Sequence, residues 1–253
     1  MTDLAASFGD VADAYERGRP RYEPHVIAAI GRAAGGPRVL DVGAGTGRLA
    51  APLLDAGYDV VAVEPLDAMR AILAGHIGAE RALAGRAEAL PLDDASVDGA
   101  FCSDAWHWFD GPRAAGELAR VVRPAGHVVI CRSSPRWEDR SDAPEWWRDL
   151  VAVHHTLPKG DHPVFSQPVR DWQPAGFAGR PAFGELERRA EPFVHHTDRE
   201  GIVAHWASMS FVATLEPAQR DSVLSEVRSV LTRHGIEAVD VPYRAELWIV
   251  RRG

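Results

Sequence analysis

The chain of 253 residues has no asparagine, one lysine (Lys159) and two cysteines, Cys102 and Cys131. Two cysteines are too few for a zinc cage or a disulfide framework. A reduced, cytoplasmic protein is therefore expected. The missing asparagine excludes any mechanism that needs that carboxamide. No apolar run approaches the ~20 residues that cross a bilayer. The opening MTDLAASFGD is acidic and has no long apolar core, so it does not read as a secretory signal. Positive charge is short as well: 28 Lys plus Arg stand against 36 Asp plus Glu, a net charge of −8. A dedicated nucleic-acid binder needs clustered positive charge to displace counterions from phosphates. Neither a nucleic-acid nor a membrane partner is expected.

What is present reads as an ordinary globular composition, 46% hydrophobic and 25% charged. Strand and helix signals alternate from about residue 37 to 131. Arg38 to Val42 is a short apolar strand that ends in the glycine-rich Gly43-Ala44-Gly45-Thr46-Gly47. A helix bearing Leu49, Pro52, Leu53 and Leu54 follows, and Gly57 stops it. Tyr58 to Val63 reads as a second strand, ending at Glu64-Pro65. Met69, Ile72 and Leu73 have helix spacing. Arg81 to Gly85 and Val97 to Cys102 read as the third and fourth strands. Pro112 opens a helix with Leu118, Val121 and Val122, and Pro124-Ala125-Gly126 turns into the strand His127 to Cys131. This rhythm predicts an α/β fold with a mostly parallel sheet and helices on both faces.

Outside that stretch, Val26 to Ala34 reads as a helix. The segment from about 134 to 182 is rich in Trp, Pro and His, and reads as an irregular aromatic cap. Helices are expected at Asp198 to Ser208, capped by Thr197 or Asp198, and at Ala218 to His234, stopped by Gly235. Glu246 to Val250 is the last strand expected.

A strand, a glycine loop and a helix form an entrance for a nucleotide-like ligand, because glycines let backbone approach closely. The spacing is G-x-G-x-G, at Gly43, Gly45 and Gly47. It is neither the dinucleotide G-x-G-x-x-G nor a P-loop. Glu64, at the end of the second strand, can accept hydrogen bonds from two ribose hydroxyls. Asp41, just before the loop, can pair with an ammonium group. Together they suit a ligand with a ribose and an amino cation but no phosphates.

At these residues the sequence resembles a known family. Val39 to Gly47 resembles motif I of the class I S-adenosylmethionine-dependent methyltransferases. The resemblance implies that S-adenosylmethionine is the cofactor. It also implies a Rossmann-like, seven-stranded sheet of order 3-2-1-4-5-7-6 with strand seven antiparallel and carrying Trp248. Asp41, Gly43, Ala44, Gly45, Thr46 and Gly47 would form the loop site, with Glu64 and Pro65 on the ribose. Gly85 to Leu92 resembles the adenine-side segment, with Ala87 on the ring and Glu88 reaching its amino group. Ser103 to Phe109 resembles the segment beneath the transferred methyl, which puts Ser103 and Asp104 on the cofactor. Glu117 to Gly126 resembles the helix and turn before strand five, with Ala125 where a second glycine is usual.

Phe8, Tyr15, Arg19, Pro20 and Tyr22 resemble the N-terminal arm of the methyltransferase type 11 group that includes trans-aconitate methyltransferase-like enzymes. Tyr15 and Arg19 would contact the methionine carboxylate or close the pocket. The resemblance divides the chain into a helical arm at 1–34 and a cofactor-binding core at 35–133. A cap follows at 134–182, and a C-terminal part at 183–253 completes the sheet.

Methyl transfer is an in-line displacement whose main demands are positioning and desolvation. His107 can serve as base for a hydroxyl acceptor, or fix its own loop. Tyr22, Trp106, His107, Trp146 and Trp147 are the candidate acceptor contacts, with packing the competing role for the tryptophans. Arg132 is read as a surface residue in preference to a partner for an acidic substrate. No metal is expected, since adjacent histidines such as His154/His155 and His195/His196 chelate poorly. No Pro-Pro dipeptide occurs, which disfavours amino methylation built on a Pro-Pro-Tyr/Phe motif. The expected function is methyl transfer to a small-molecule acceptor, a carboxylate or hydroxyl by preference. The alternative is a cofactor-binding protein without turnover, acting as partner or regulator. The oligomeric state is left open.

Overall fold

The structure is a computed structural model that describes residues 12–137, 143–157 and 172–253. Phe8, Lys159 and the prolines Pro158, Pro163 and Pro168 of the expected arm and cap lie outside the described residues.

Seven strands form one sheet: β1 (Arg38–Val42), β2 (Asp59–Val63), β3 (Ala82–Leu83), β4 (Val97–Ser103), β5 (Val122–Pro135), β6 (Phe183–Asp198) and β7 (Ala238–Arg252). Their order is β3-β2-β1-β4-β5-β7-β6, as the resemblance implies. The pairs β1–β2, β1–β4, β2–β3 and β4–β5 are parallel. The described helices are α1 (Ala12–Gly18), α2 (Pro24–Ala33), α3 (Ala50–Asp55), α4 (Asp67–Ile77), α5 (Gly111–Val121), α6 (Glu145–Thr156), α7 (Arg199–Ala207), α8 (Ser210–Ala213) and α9 (Pro217–Arg233).

The chain divides into two compact units. The first is Met1–Arg21, Pro135–Asp171 and Val194–Tyr243. Within it α1 crosses α7 at very close range: a Cβ on Gly18 would fall 2.0 Å from the His205 nitrogen, so only glycine fits. Asp198 caps α7 by accepting from the Gly201 N–H at 2.6 Å, as the sequence predicts. His234 Nε2 lies 2.8 Å from Asp149 and ties α9 to α6. Trp137, Trp146 and Trp147 pack edge to face, with centroids 5.5–5.7 Å apart.

The second unit is Tyr22–Ser134, Trp172–Phe193 and Arg244–Gly253. Its core contains Leu40, Val42, Ala100, Leu118, Val128, Ile130, Trp248 and Val250, all with almost no exposure. The nearly unbroken apolar runs of β1, β2 and β4 are those of strands covered on both faces.

Several elements differ from the sequence reading, three of them most. α3 begins at Ala50 rather than at the loop, and is only six residues long. Pro52 sits in its first turn, where a missing N–H costs nothing. β7 begins eight residues before Glu246, at Ala238, and carries Pro242. β6 has no counterpart in the residue-by-residue reading, although the resemblance requires a strand there.

The turn into β5 shows why a glycine is usual at position 125. Ala125 has φ +67°, in the left-handed region that a side chain enters at a cost. Gly126 cannot change, since a Cβ there would fall 2.2 Å from the Asp98 carbonyl oxygen.

Candidate active site

The glycine loop starts where β1 ends. The N–H groups of Gly43 and Ala44 donate to the Val63 carbonyl at 2.9 and 3.2 Å, which closes the loop against β2. Gly43, Gly45 and Gly47 all have positive φ, at +68°, +57° and +93°. At Gly43 a Cβ would also fall 2.8 Å from Phe109 and 2.9 Å from the Ala105 Cβ. Conformation and crowding both require glycine there. The Thr46 side chain is fully buried, and its carbonyl lies 2.9 Å from His76 Nδ1. Thr46 therefore shapes the loop from inside.

Two buried carboxylates flank this loop, and they differ. Glu64 Oε2 accepts from the Gly45 N–H and Oε1 from the Leu66 N–H, both at 2.9 Å. Arg70 Nη1 donates to the Glu64 carbonyl at 2.9 Å. Burial raises the Glu64 carboxyl above its ordinary range, while the two N–H groups and Arg70 pull it down. Each Glu64 oxygen keeps a lone pair for a further donor. Pro65 is exposed beside it.

Asp41 is 1% exposed, and neither of its oxygens has a hydrogen-bond partner. Burial first, and the Glu64 charge second, push its carboxyl up to about 7, while the nearby Ala50 N–H, outside hydrogen-bond geometry, pulls the other way. An unpartnered buried carboxylate is costly, and a cation is what would satisfy it.

At the ends of β4 and β5 a second polar group forms. Tyr22 Oη is 2.9 Å from Ser103 Oγ. Asp104 accepts from the Ser133 N–H at 2.9 Å and from the Ser133 hydroxyl at 2.7 Å. Asp104 itself has φ +51°. Burial and the Asp104 charge hold the Tyr22 phenol well above its usual range, so it stays neutral. Ser133 carries no sequence signal and was missed; only the pairing of Ser103 with Cys131 in the sheet brings it here.

The adenine-side segment is held from behind. Ala87 is buried. Glu88 Oε1 accepts from the Asp110 N–H at 2.8 Å. Glu117 accepts from the Leu90 N–H at 2.8 Å, and Arg120 donates to the Leu90 and Leu92 carbonyls at 3.0 and 2.6 Å. Sequence reading took Glu117 and Arg120 as part of a helix and missed their anchoring role.

The remaining candidates are placed as follows. Trp106 is 3% exposed, stacks on Phe177 at 5.0 Å and donates Nε1–H to the Ala175 carbonyl at 3.2 Å. It is a core residue of its unit. His107 lies in the 3-10 turn Trp106–Trp108, half-buried, with its ring 4.8 Å from that of Trp108. Tyr15, Arg19, Trp146 and Trp147 belong to the other unit. There Arg19 donates to the Ser208 hydroxyl and carbonyl at 2.9 and 3.0 Å, with its guanidinium over the Tyr15 ring. Trp146 is buried, and the Trp147 indole N–H has no hydrogen-bond partner. The histidine pairs are taken up locally: His154 packs on Trp206 and Phe211, and His196 Nδ1 lies 2.7 Å from Asp240.

Comparison with known proteins agrees with this geometry. Residues 40–130 match the family model described as a methyltransferase domain. An uncharacterized methyltransferase of Mycobacterium tuberculosis is 37% identical over 232 residues, covering 92% of this chain and 88% of that one. The chain belongs to the class I S-adenosylmethionine-dependent methyltransferases. A malonyl-[acyl-carrier protein] O-methyltransferase of Pectobacterium atrosepticum is 34% identical over 173 residues, 66% of this chain and 68% of that one. A solved structure from Anaeromyxobacter dehalogenans, proposed to be a type II methyltransferase, superposes with a TM-score of 0.59 at 25% identity, over 93% of this chain and 97% of that one. These relatives do not show the trans-aconitate-like subgroup.

Membership of this methyltransferase family implies use of S-adenosylmethionine, and the residues present fit it. The unpartnered Asp41 suits the amino cation, and Glu64 suits the ribose. Three left-handed glycines leave the backbone bare between the two carboxylates. Among the described residues, no helix is long and apolar enough to cross a membrane.

Proposed function

We propose that the chain transfers a methyl group from S-adenosylmethionine to a small-molecule acceptor, at a carboxylate or hydroxyl oxygen. The observation that carries the reading is Asp41, a carboxylate buried beside the glycine loop with neither oxygen partnered. When bound, the cofactor supplies an electrophilic methyl group next to a sulfonium. The chain's own residues supply the rest. Glu64 holds the ribose with the lone pairs its two N–H bonds leave over. Asp41 neutralises the ammonium. Ala87 lies against the adenine, and Glu88, fixed by the Asp110 N–H, can accept from the ring's amino group at its second oxygen, which sits 3.7 Å from Arg86 Nε. Ser103 and Asp104, held by Tyr22 and Ser133, form the floor below the methyl.

An oxygen acceptor is supported by the relative that is an O-methyltransferase of malonyl-acyl carrier protein, whose free malonyl oxygens form a carboxylate. A carboxylate needs no base. For a hydroxyl, His107 is the side chain of the β4 loop able to take the proton near neutral pH. Net charge of −8 supports a small acceptor over nucleic acid or an anionic membrane surface. The same reading places the enzyme in the cytoplasm.

The test is a panel of carboxylic acids and alcohols incubated with methyl-labelled cofactor and assayed for labelled ester or ether. Label transfer to an oxygen acceptor, reduced at least tenfold in Asp41→Ala, is the expected result. Transfer only to amines, or equal turnover without Asp41, would overturn it.

A further inference from the structure

One polar cluster of the second unit plays no part in holding the cofactor. On β5, Arg132 and Ser134 alternate onto the face that carries the core residues Val128 and Ile130. On β7, Arg244 and Glu246 share the face of Trp248 and Val250, which belong to the same core. From β6, Arg188 Nη2 donates to Glu246 Oε1 at 2.6 Å, and its guanidinium lies over Trp248 at 5.6 Å. Trp172 joins the two sides: its ring is 4.9 Å from that of Trp248, and Arg132 lies over it at 5.5 Å. The other charges of β6, Glu185, Glu187 and Arg189, alternate onto the opposite face.

The charges here do not balance. Two guanidiniums, Arg188 and Arg244, share one carboxylate, and a third, Arg132, lies over Trp172. Glu246 is 2% exposed in its side chain and engages Arg188; Arg244 Nε is 3.2 Å away, an ion pair without hydrogen-bond geometry. Among the described residues, Arg132 has no ion-pair partner, only the Trp172 ring. Ser134 is 2% exposed, and its hydroxyl is unpartnered, as are Arg244 Nε and Glu246 Oε2. Buried polar atoms ordinarily find partners, so two unused donors in a cluster with more guanidiniums than carboxylates point to an anion. The location supports this. Ligands of open α/β sheets bind past the carboxyl ends of the strands. Arg132 and Ser134 lie at that end of β5, on either side of the Ser133 that holds Asp104.

We propose that Arg132, Arg188, Arg244 and the Ser134 hydroxyl clamp a carboxylate of the acceptor. This rests on the methyltransferase reading and narrows its substrate class. Glu246 pairs with two of the arginines and offsets part of their charge. The guanidinium fork binds a planar carboxylate through two parallel hydrogen bonds. Lone pairs engaged by guanidiniums are poor nucleophiles, so the clamped carboxylate is an anchor. The acceptor therefore carries a second oxygen, hydroxyl or carboxylate, that receives the methyl.

Calorimetric titration of the full chain at constant ionic strength, with malonate and separately with inorganic phosphate, tests this. Each is run with and without S-adenosylhomocysteine. Wild-type protein is expected to bind malonate in the millimolar range or tighter, and to prefer it to phosphate. Arg132→Gln, which breaks no ion pair, weakens malonate at least tenfold and leaves S-adenosylhomocysteine binding within twofold. Glu246→Gln, which removes the negative charge from the cluster, tightens malonate severalfold, a gain that a merely structural carboxylate would not give. No malonate binding, a preference for phosphate, or malonate binding unmoved by Arg132→Gln would overturn the clamp. S-adenosylhomocysteine binding in the same samples shows separately whether the cofactor reading stands.

Discussion

The two ends of the second unit's sheet carry opposite charge for opposite purposes. At β1 and β2 the buried groups are carboxylates, Asp41 and Glu64, set around a loop of three left-handed glycines. At β5, β7 and β6 partly exposed guanidiniums gather instead: Arg188 and Arg244 pair with the buried Glu246, and Arg132 lies over Trp172. Each end keeps its fixed charge with buried polar atoms left unpartnered. Such atoms cost stability. Their concentration at two places, one anionic and one cationic, matches a cationic cofactor on one side and an acidic acceptor on the other.

The comparison breaks most sharply at Glu64. Glu64→Ala removes the ribose acceptor and frees the Gly45 and Leu66 N–H groups. The expected loss of S-adenosylmethionine affinity is about 30-fold or more, roughly 2 kcal/mol, read by calorimetry, with malonate binding unchanged. Equal weakening of both ligands would show that the ends are not independent.

A smaller effect comes from the anchor of the adenine-side segment. Arg120→Ala removes donors to the Leu90 and Leu92 carbonyls and is expected to cost about 1–3 kcal/mol of stability. Thermal unfolding measures it. Cofactor affinity falls with it, because the loop of Ala87 and Glu88 loosens; a variant with unchanged melting temperature and affinity would contradict the anchoring role.

The smallest effect is a gain. Ala125→Gly relieves the left-handed φ of +67° at the turn into β5. It should stabilise the protein by about 0.5–1 kcal/mol in denaturant unfolding, with neither ligand's affinity altered. A loss of stability would mean that the turn carries no strain.

The same two ends differ in how far they could be read from the sequence. The carboxylate end is local. A strand, Gly43 to Gly47 and the acidic end of the next strand follow one another, and their spacing alone points to a ribose and an amino cation. The resemblance then supplied the strand order. The guanidinium end is assembled from three strands far apart in the chain, so no spacing announces it, and Arg132 read as a surface residue. β6 was hidden because Gly184 to Ala190 is mostly charged; of its residues only Phe183 and Phe193 are buried, the pattern of a strand at the sheet's edge. The first half of β7 was obscured by Pro242. For Trp106 a site role and packing read as equally fit, whereas packing is the favoured reading of Trp146; both side chains are buried.

The central claim is that Asp41 stays unpartnered until the cofactor's ammonium arrives, and its titration tests that directly. Its carboxyl is raised to about 7 in the free protein. Below that pH it is protonated, and binding a cation must expel the proton; above it the carboxylate is ready. S-adenosylmethionine affinity should therefore rise as pH increases from about 5.5 to 7 and then level off. The same shift works against folding: the raised carboxyl costs nothing below its unfolded value near 3.9. The cost grows as pH climbs, and is complete above about 7. Asp41→Asn should abolish the pH dependence of binding between 5.5 and 7, lower affinity about tenfold at pH 8, and raise stability there. The measurement is calorimetric titration of wild type and Asp41→Asn with S-adenosylmethionine across that range. A pH-dependent affinity in wild type alone is the predicted result; identical, flat profiles in the two proteins would contradict the account.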